Sequence, residues 1–312
     1  HRLARIVDRC AGFTGEAVRA ARVGEAFRQV RQHRLDRLGS HGRGGRMVEV
    51  GVIAHPHNAT RPYLSRGMRG YEPHSYGDGM ADVYDDWYAR ISDVDATVAT
   101  LIQLANGGSV LELGVGTGRL AAPLAATGVE VYGIDASDAM LRQIVDKPGG
   151  NLVHSVLGDM VTDLPAGPFA LVFVAYNTLF NLPSEELQQA CFHAVASRLA
   201  PGGYFVVEAF VPDPAHDPAS SVDVRSITTD RVVLSVSTSD PSRQVAEGQY
   251  VDITESGGVR LRPWSIRWAT VEQLDAMAAA AGLDLAHRWA DFDRSPFTPE
   301  SPRHVSVYAN RK

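Results

Sequence analysis

Nine residues, Val110-Leu111-Glu112-Leu113-Gly114-Val115-Gly116-Thr117-Gly118, constrain this chain more than any other stretch. A short apolar run suited to a buried strand enters three glycines at alternate positions, and a helix-forming segment follows from about Arg119 to Thr127. Glycine reaches positive φ at little steric cost, so the backbone can turn sharply between strand and helix. It also lets a ligand lie against bare backbone, facing the N–H groups of the helix start. Such a loop is ambiguous by itself, because dinucleotide folds use a similar one. Here the spacing is G-x-G-x-G, preceded by Glu112, and no lysine follows as a phosphate-cradling P-loop demands.

The surrounding pattern is that of an α/β sheet. Strands are expected at 109–113, 130–134, 152–157, 169–174 and 204–210, with helices at 119–127, 137–146 and 184–199 between them. Phe169–Val174 is apolar throughout, as a central parallel strand should be. Ser184 is placed to cap its helix, with Glu185 and Glu186 in the first turn, and Pro201-Gly202-Gly203 is read as the turn before the fifth strand. Upstream, Asp82 to Leu104 reads as one or two helices, capped by Asp82, with Tyr84, Trp87 and Tyr88 at helical spacing. After Pro212 the rhythm changes to strand-like alternation over 223–269, with Gly257-Gly258 as a hairpin turn. Thr270 then caps a helix through Ala281, and two last strands are expected at 285–289 and 305–309.

Charge divides the chain. The first 70 residues carry 14 arginines against five acidic residues, whereas the remainder carries 16 basic and 31 acidic residues. The organisation expected is therefore a basic arm (1–70), partly disordered or forming a capping helix, then a binding core (71–212), an antiparallel lid insert (213–269), and a C-terminal helix with the last core strands (270–312). An acidic body repels phosphates, which weighs against a nucleic-acid partner. Cys10 and Cys191 are the only cysteines, which suits a reducing, cytoplasmic setting, and no clustered histidines suggest a metal site. No apolar run is long enough for a membrane helix, and no secretory-signal order opens the sequence.

In its glycine loop, and in further motifs in register over about 80–210, the chain resembles the class I S-adenosylmethionine-dependent methyltransferases. These motifs are Glu112-x-Gly114-x-Gly116-x-Gly118, Asp135 ending the second strand, Gly158-Asp159-Met160 ending the third, Ala175-Tyr176-Asn177 after the fourth, and the Pro201 turn. The resemblance implies a seven-stranded doubly wound Rossmann-like sheet with an antiparallel β insert after the fifth strand, and S-adenosyl-L-methionine as cofactor. It implies cofactor contacts from Tyr76, Tyr84, Glu112, Gly114, Gly116, Gly118, Asp135, Ala136, Met140, Gly158, Asp159, Met160 and Tyr176. Within those, an acidic residue at Asp135 holds the ribose hydroxyls and one at Asp159 the adenine amino group. The segment 81–88 is similar to the N-terminal helix of actinobacterial sugar and natural-product methyltransferases, where a tyrosine folds over the cofactor. In that group the insert roofs the substrate cavity and can form a dimer contact.

A sulfonium methyl is already activated, so such a protein must hold a nucleophile in line with it and exclude water. An amine needs only a neutral lone pair; a hydroxyl needs a base. Candidates for acceptor chemistry are Tyr88, Tyr176, Glu208 and His216, with Asn177 and His74 beside them. Arg262, Trp264, Arg267 and Trp268 form a basic-aromatic patch that either lines an acceptor pocket or, as such residues more often do, packs the sheet. The function expected is methyl transfer to N or O of a small molecule in secondary metabolism. The alternatives are an RNA or protein methyltransferase docking through the arm, or a non-catalytic cofactor-binding protein.

Overall fold

The computed structural model describes residues 67–311, apart from Arg90 and 214–219. Almost all of the arginine-rich arm, and the candidate His216, lie outside the described residues.

The central sheet has the order β3-β2-β1-β4-β5-β11-β10, built from β1 (Val110–Leu113), β2 (Val131–Asp135), β3 (Val153–Leu157), β4 (Phe169–Val174), β5 (Leu199–Phe210), β10 (Leu283–Trp289) and β11 (Arg303–Asn310). Only β11 runs against its neighbours. Strand order reverses between β1 and β4, so the segments leaving their carboxyl ends diverge and open a crevice, the usual ligand position in doubly wound sheets.

Period-two alternation separates two apolar layers. Leu111, Leu113, Val172, Val174, Phe205 and Val207 pack against α5 (Glu185–Ala196) and α6 (Val271–Ala280), through Phe192, Val195, Leu274 and Met277. Val110, Leu171, Phe173 and Val206 face α3 (Val94–Ala105) and α4 (Ala121–Ala126), through Leu101 and Leu124. The expected cap signals operate: Ser184 accepts the N–H of Leu187, and Thr270 and Gln273 form a reciprocal capping box.

Two expectations are corrected. The region 82–104 holds two helices, α2 (Tyr84–Tyr88) and α3, within the expectation, and a short helix, α1 (Ser75–Met80), precedes them. Asp82 does not cap α2, whose N-cap is Val83; its carboxylate is drawn instead to Arg260 and Arg262 of the insert. Pro201-Gly202-Gly203 lies inside β5, where pairing passes from Phe169–Leu199 to Leu171–Tyr204, so the glycines form an irregularity within the strand.

The insert is an antiparallel sheet in the order β6-β7-β8-β9, with β6 (Ser220–Ile227), β7 (Arg231–Asp240), β8 (Val245–Thr254) and β9 (Gly258–Arg267). The inward face sets Ser235, Ser237, Ser239, Asp252 and Arg262 among the core residues Val233, Ala246, Tyr250 and Trp264, all buried. The outward face presents Val222, Val224, Ile253, Val259 and Leu261 to solvent.

Candidate functional site

The glycine loop adopts the conformation its composition permits: Gly114, Gly116 and Gly118 all have positive φ, at 65°, 55° and 77°. They serve different ends. A Cβ on Gly114 would fall 2.2 Å from Thr178 Cγ2, and one on Gly118 3.1 Å from Ile144, so these two permit close packing. A Cβ on Gly116 would meet nothing within 4 Å, leaving bare backbone facing open space.

Two carboxyl groups are built around the loop. Asp135, ending β2, accepts the N–H of Gly116 and of Ser137, each at 2.8 Å; burial nevertheless pushes its carboxyl above the ordinary range. Glu112 lies within β1 beneath the loop. Burial pushes its carboxyl up to about 8, opposed chiefly by the nearby Arg119 cation. Its Oε2 is buried with no hydrogen-bond partner, an acceptor left for a donor from outside the protein.

A cavity of about 330 Å³ opens at the carboxyl ends of β1, β2 and β3. Of the residues singled out in the sequence, Tyr76, Tyr84, Gly114, Gly116, Asp135, Ala136, Met140, Gly158, Asp159 and Met160 line it. Asp159 commits Oδ1 to the amides of Val161 and Thr162, fixing the turn after β3. Residues that the motifs did not indicate, among them Met68, Tyr71, Gly77, Thr178, Leu187 and Ser265, form the rest of the wall. Gly77 lies in α1, a helix that the sequence pattern did not indicate. A Cβ there would stand 2.4 Å from Ser137 Cβ, so its absence lets α1 lie against the end of β2. A more open cavity of about 590 Å³ sits at the opposite ends of the strands, among Asn106, Gly108 and Pro201–Gly203. Its charged lining residue, Arg294, already bonds Gln103.

Tyrosines join the cavity to the insert. Tyr84 and Tyr88, one helical turn apart, have ring centroids 4.8 Å apart. The Tyr76 and Tyr88 hydroxyls are 3.4 Å apart, and the Tyr88 ring meets that of Tyr176 at 5.7 Å. Burial pushes the phenols of Tyr76 and Tyr84 upward, so both remain protonated at neutral pH. Asp85 ties α2 to the loop by accepting the Thr117 hydroxyl at 2.7 Å.

The remaining candidates are placed as follows. Tyr176 and Asn177 both have positive φ after β4. Glu208 is buried and its carboxylate accepts the Tyr176 N–H at 3.0 Å, so it holds that turn and does not line the cavity. His74 is exposed at the start of α1, without a capping hydrogen bond. Arg262 and Arg267 are buried in ion pairs with Asp82, Asp252 and Glu185, and Trp264 and Trp268 belong to the core, which matches the packing reading of that patch.

A doubly wound sheet with a glycine loop and an acidic residue ending β2, around a cavity at the strand ends, defines the nucleoside-binding class of α/β proteins. Within that class, the Methyltransferase domain family matches residues 110–203. The structure of the CcbJ methyltransferase from Streptomyces caelestis is similar over 78% of this chain and all of that one, with 39% identity and a TM-score of 0.71. The cypemycin N-terminal methyltransferase of a Streptomyces species is 28% identical, over 77% of this chain and 99% of its own length. CalS10 from Micromonospora echinaspora, an amino pentose methyltransferase solved with bound S-adenosylmethionine, is 25% identical over 78% of this chain and 93% of its own, with a TM-score of 0.51. The chain belongs to the S-adenosylmethionine-dependent methyltransferases, and S-adenosyl-L-methionine is its cofactor. Two features suit that cofactor: the uncovered backbone at Gly116 on the cavity wall and, beneath the loop and not lining the cavity, the orphan acceptor of Glu112.

Proposed function

We propose that this enzyme methylates a nitrogen of a small-molecule acceptor in natural-product biosynthesis, in the cytoplasm. The observation that carries the reading is the tyrosine cluster of α1, α2 and Tyr176, which lies between the cofactor-type cavity and the buried, serine-rich face of the insert. That face sets buried serines and charged groups among apolar residues, the mixture that the wall of an acceptor chamber presents. CalS10 and the cypemycin enzyme are, by name, transferases to an amino sugar and to an N-terminus.

In this reading the core is 71–212 with 270–312, and 213–269 is the lid over the acceptor. The cofactor supplies an activated methyl group on a sulfonium. Glu112 accepts from the ammonium of its amino-acid portion, and Asp135 accepts from the ribose hydroxyls while its amide bonds hold it in place. Asp159 offers its second oxygen to the adenine amino group, between Ala136, Met140 and Met160. Tyr76, Tyr84 and Tyr88 close over the site and exclude water, and Tyr176 orients the acceptor. With the Glu208 carboxylate committed to the Tyr176 amide, the site favours an amine, whose neutral lone pair needs no strong base.

The exposed aliphatic face of the insert supports a homodimer in this scheme. A second copy presents the same face, and an isologous contact would remove both from water. Light scattering should give a dimer, and Val224→Lys should dissociate it; a monomeric wild type would refute it.

The test of function is release of S-adenosylhomocysteine from the full chain offered matched amines, phenols and carboxylates. Turnover of amines alone is expected. Turnover confined to RNA or a protein substrate would overturn the reading.

A further inference from the structure

Arg225, on β6, places its guanidinium carbon 4.9 Å from the ring centroids of both Trp87 and Tyr250, and 5.3 Å from that of Tyr88. The rings come from α2 and β8, so this cation lies between α2 and the inward face of the insert. Aromatic faces attract a cation, yet they leave the in-plane N–H donors of a guanidinium without acceptors. Among the described residues, no ion pair or hydrogen bond to Arg225 is formed.

The neighbouring arginines show how unusual this is. Arg231 bonds Asp252 bidentately at 2.7 and 2.6 Å, and Arg262 shares Asp252 with Asp82. Both of their guanidinium groups also face Trp87, at 5.6 and 5.4 Å. The two carboxylates of the cluster are therefore taken by other cations. Asp223, two residues before Arg225 on the same strand face, forms no ion pair with it, and its Oδ2 is buried without a hydrogen bond. A guanidinium drawn among aromatic rings with no counter-charge is costly unless a ligand supplies one.

We propose that Arg225 is the acceptor-recognition residue of this enzyme and binds a carboxylate of the acceptor bidentately, with Trp87, Tyr88 and Tyr250 as its apolar walls. The planar fork of a guanidinium matches a carboxylate in shape and charge. A single unpaired cation suits a monoanion and leaves the second charge of a phosphate or pyrophosphate unmet. The position fits as well: the Tyr88 ring that walls Arg225 also touches Tyr84, on the cofactor cavity, and Tyr176. The inference rests on the small-molecule reading of the site and adds the charge of the acceptor to it.

The test is ligand-detected NMR on the full chain saturated with S-adenosylhomocysteine, titrated with benzoate and with benzamide, the same ring with and without the charge. Wild type should bind benzoate at least ~10-fold more tightly than benzamide, as a charge-assisted bidentate bond implies. Arg225→Met should abolish that preference, Arg225→Lys should retain part of it, and S-adenosylhomocysteine affinity should be unchanged in both. Equal or absent binding of the two probes to wild type, a preference that survives in Arg225→Met, or displacement of benzoate by an equal concentration of inorganic phosphate would overturn the proposal. Failure of wild type to bind S-adenosylhomocysteine would strike the cofactor-site reading, so the two failures are distinguishable.

Discussion

The carboxylate of Glu208, on β5, accepts the backbone N–H of Tyr176 at 3.0 Å and so holds a tyrosine at φ 51° where β4 ends. Asn177, at φ 65°, is fixed alongside: its N–H donates to the Glu208 carbonyl, and its Oδ1 accepts the N–H of Phe210 at 2.7 Å. Left-handed backbone at a side-chain-bearing residue costs about 1–2 kcal/mol, which these bonds offset.

Removing the acceptor should release the turn. Glu208→Ala is expected to lower unfolding free energy by about 2 kcal/mol, the scale of a hydrogen bond to a charged group, and to reduce kcat by displacing Tyr176. Glu208→Gln keeps an acceptor oxygen and should retain most of both. Chemical denaturation and initial rates check this; Gln and Ala variants that behave alike would mean the bond is not what positions Tyr176.

Glu112 sets a pH dependence whose sign is fixed by its burial. Its folded value of about 8 lies above the ordinary 4.5, so between these values the folded state holds a proton that the unfolded chain has lost. That contribution to stability is fully present below 4.5 and is lost as pH rises through about 8. The melting temperature of the ligand-free protein should therefore fall between about pH 4.5 and 8, and Glu112→Gln should flatten that fall. An incoming ammonium favours the ionised carboxylate, so S-adenosylhomocysteine affinity should rise with pH over the same interval and release a proton. Calorimetry in buffers of different ionisation enthalpy counts that proton; none released by wild type would remove Glu112 from the cofactor site.

Gly77 separates fold from site. Alanine in a helix is ordinarily favoured over glycine by about 1 kcal/mol, but here its Cβ would stand 2.4 Å from that of Ser137. Gly77→Ala should push α1 off the end of β2 and break the bond from the Ser137 hydroxyl to Asp78 Oδ1, now 2.6 Å. Cofactor affinity is expected to fall ~10-fold or more while urea-induced unfolding shifts little. An unchanged affinity would show that α1 does not help to shape the cavity.

The site was legible in the sequence wherever its chemistry is local. The glycines of 114–118, the acidic ends of β2 and β3, and Ser184 and Thr270 as caps all act within a few residues of themselves, and their types reveal them. Side chains recruited across the fold were hidden. Asp82 sits where a cap belongs, but Arg262, 180 residues on, draws its carboxylate away. Arg225 is an ordinary arginine on a β-strand until Trp87 and Tyr250 close around it. Glu208 has the residue type of a base, and its bond to the Tyr176 amide, which holds the turn after β4, is visible only in the fold.

The most direct test of the account is calorimetric titration of S-adenosylhomocysteine into the full chain and into Asp135→Ala. Asp135 accepts from Gly116 and Ser137 and borders the cavity, so it is placed both to shape the loop and to meet the ribose. One ligand should bind per chain. The variant should bind ~30-fold or more weakly, corresponding to about 2 kcal/mol for a charge-assisted hydrogen bond. No binding by wild type, or equal affinity in the variant, would contradict the placement of the cofactor at the glycine loop.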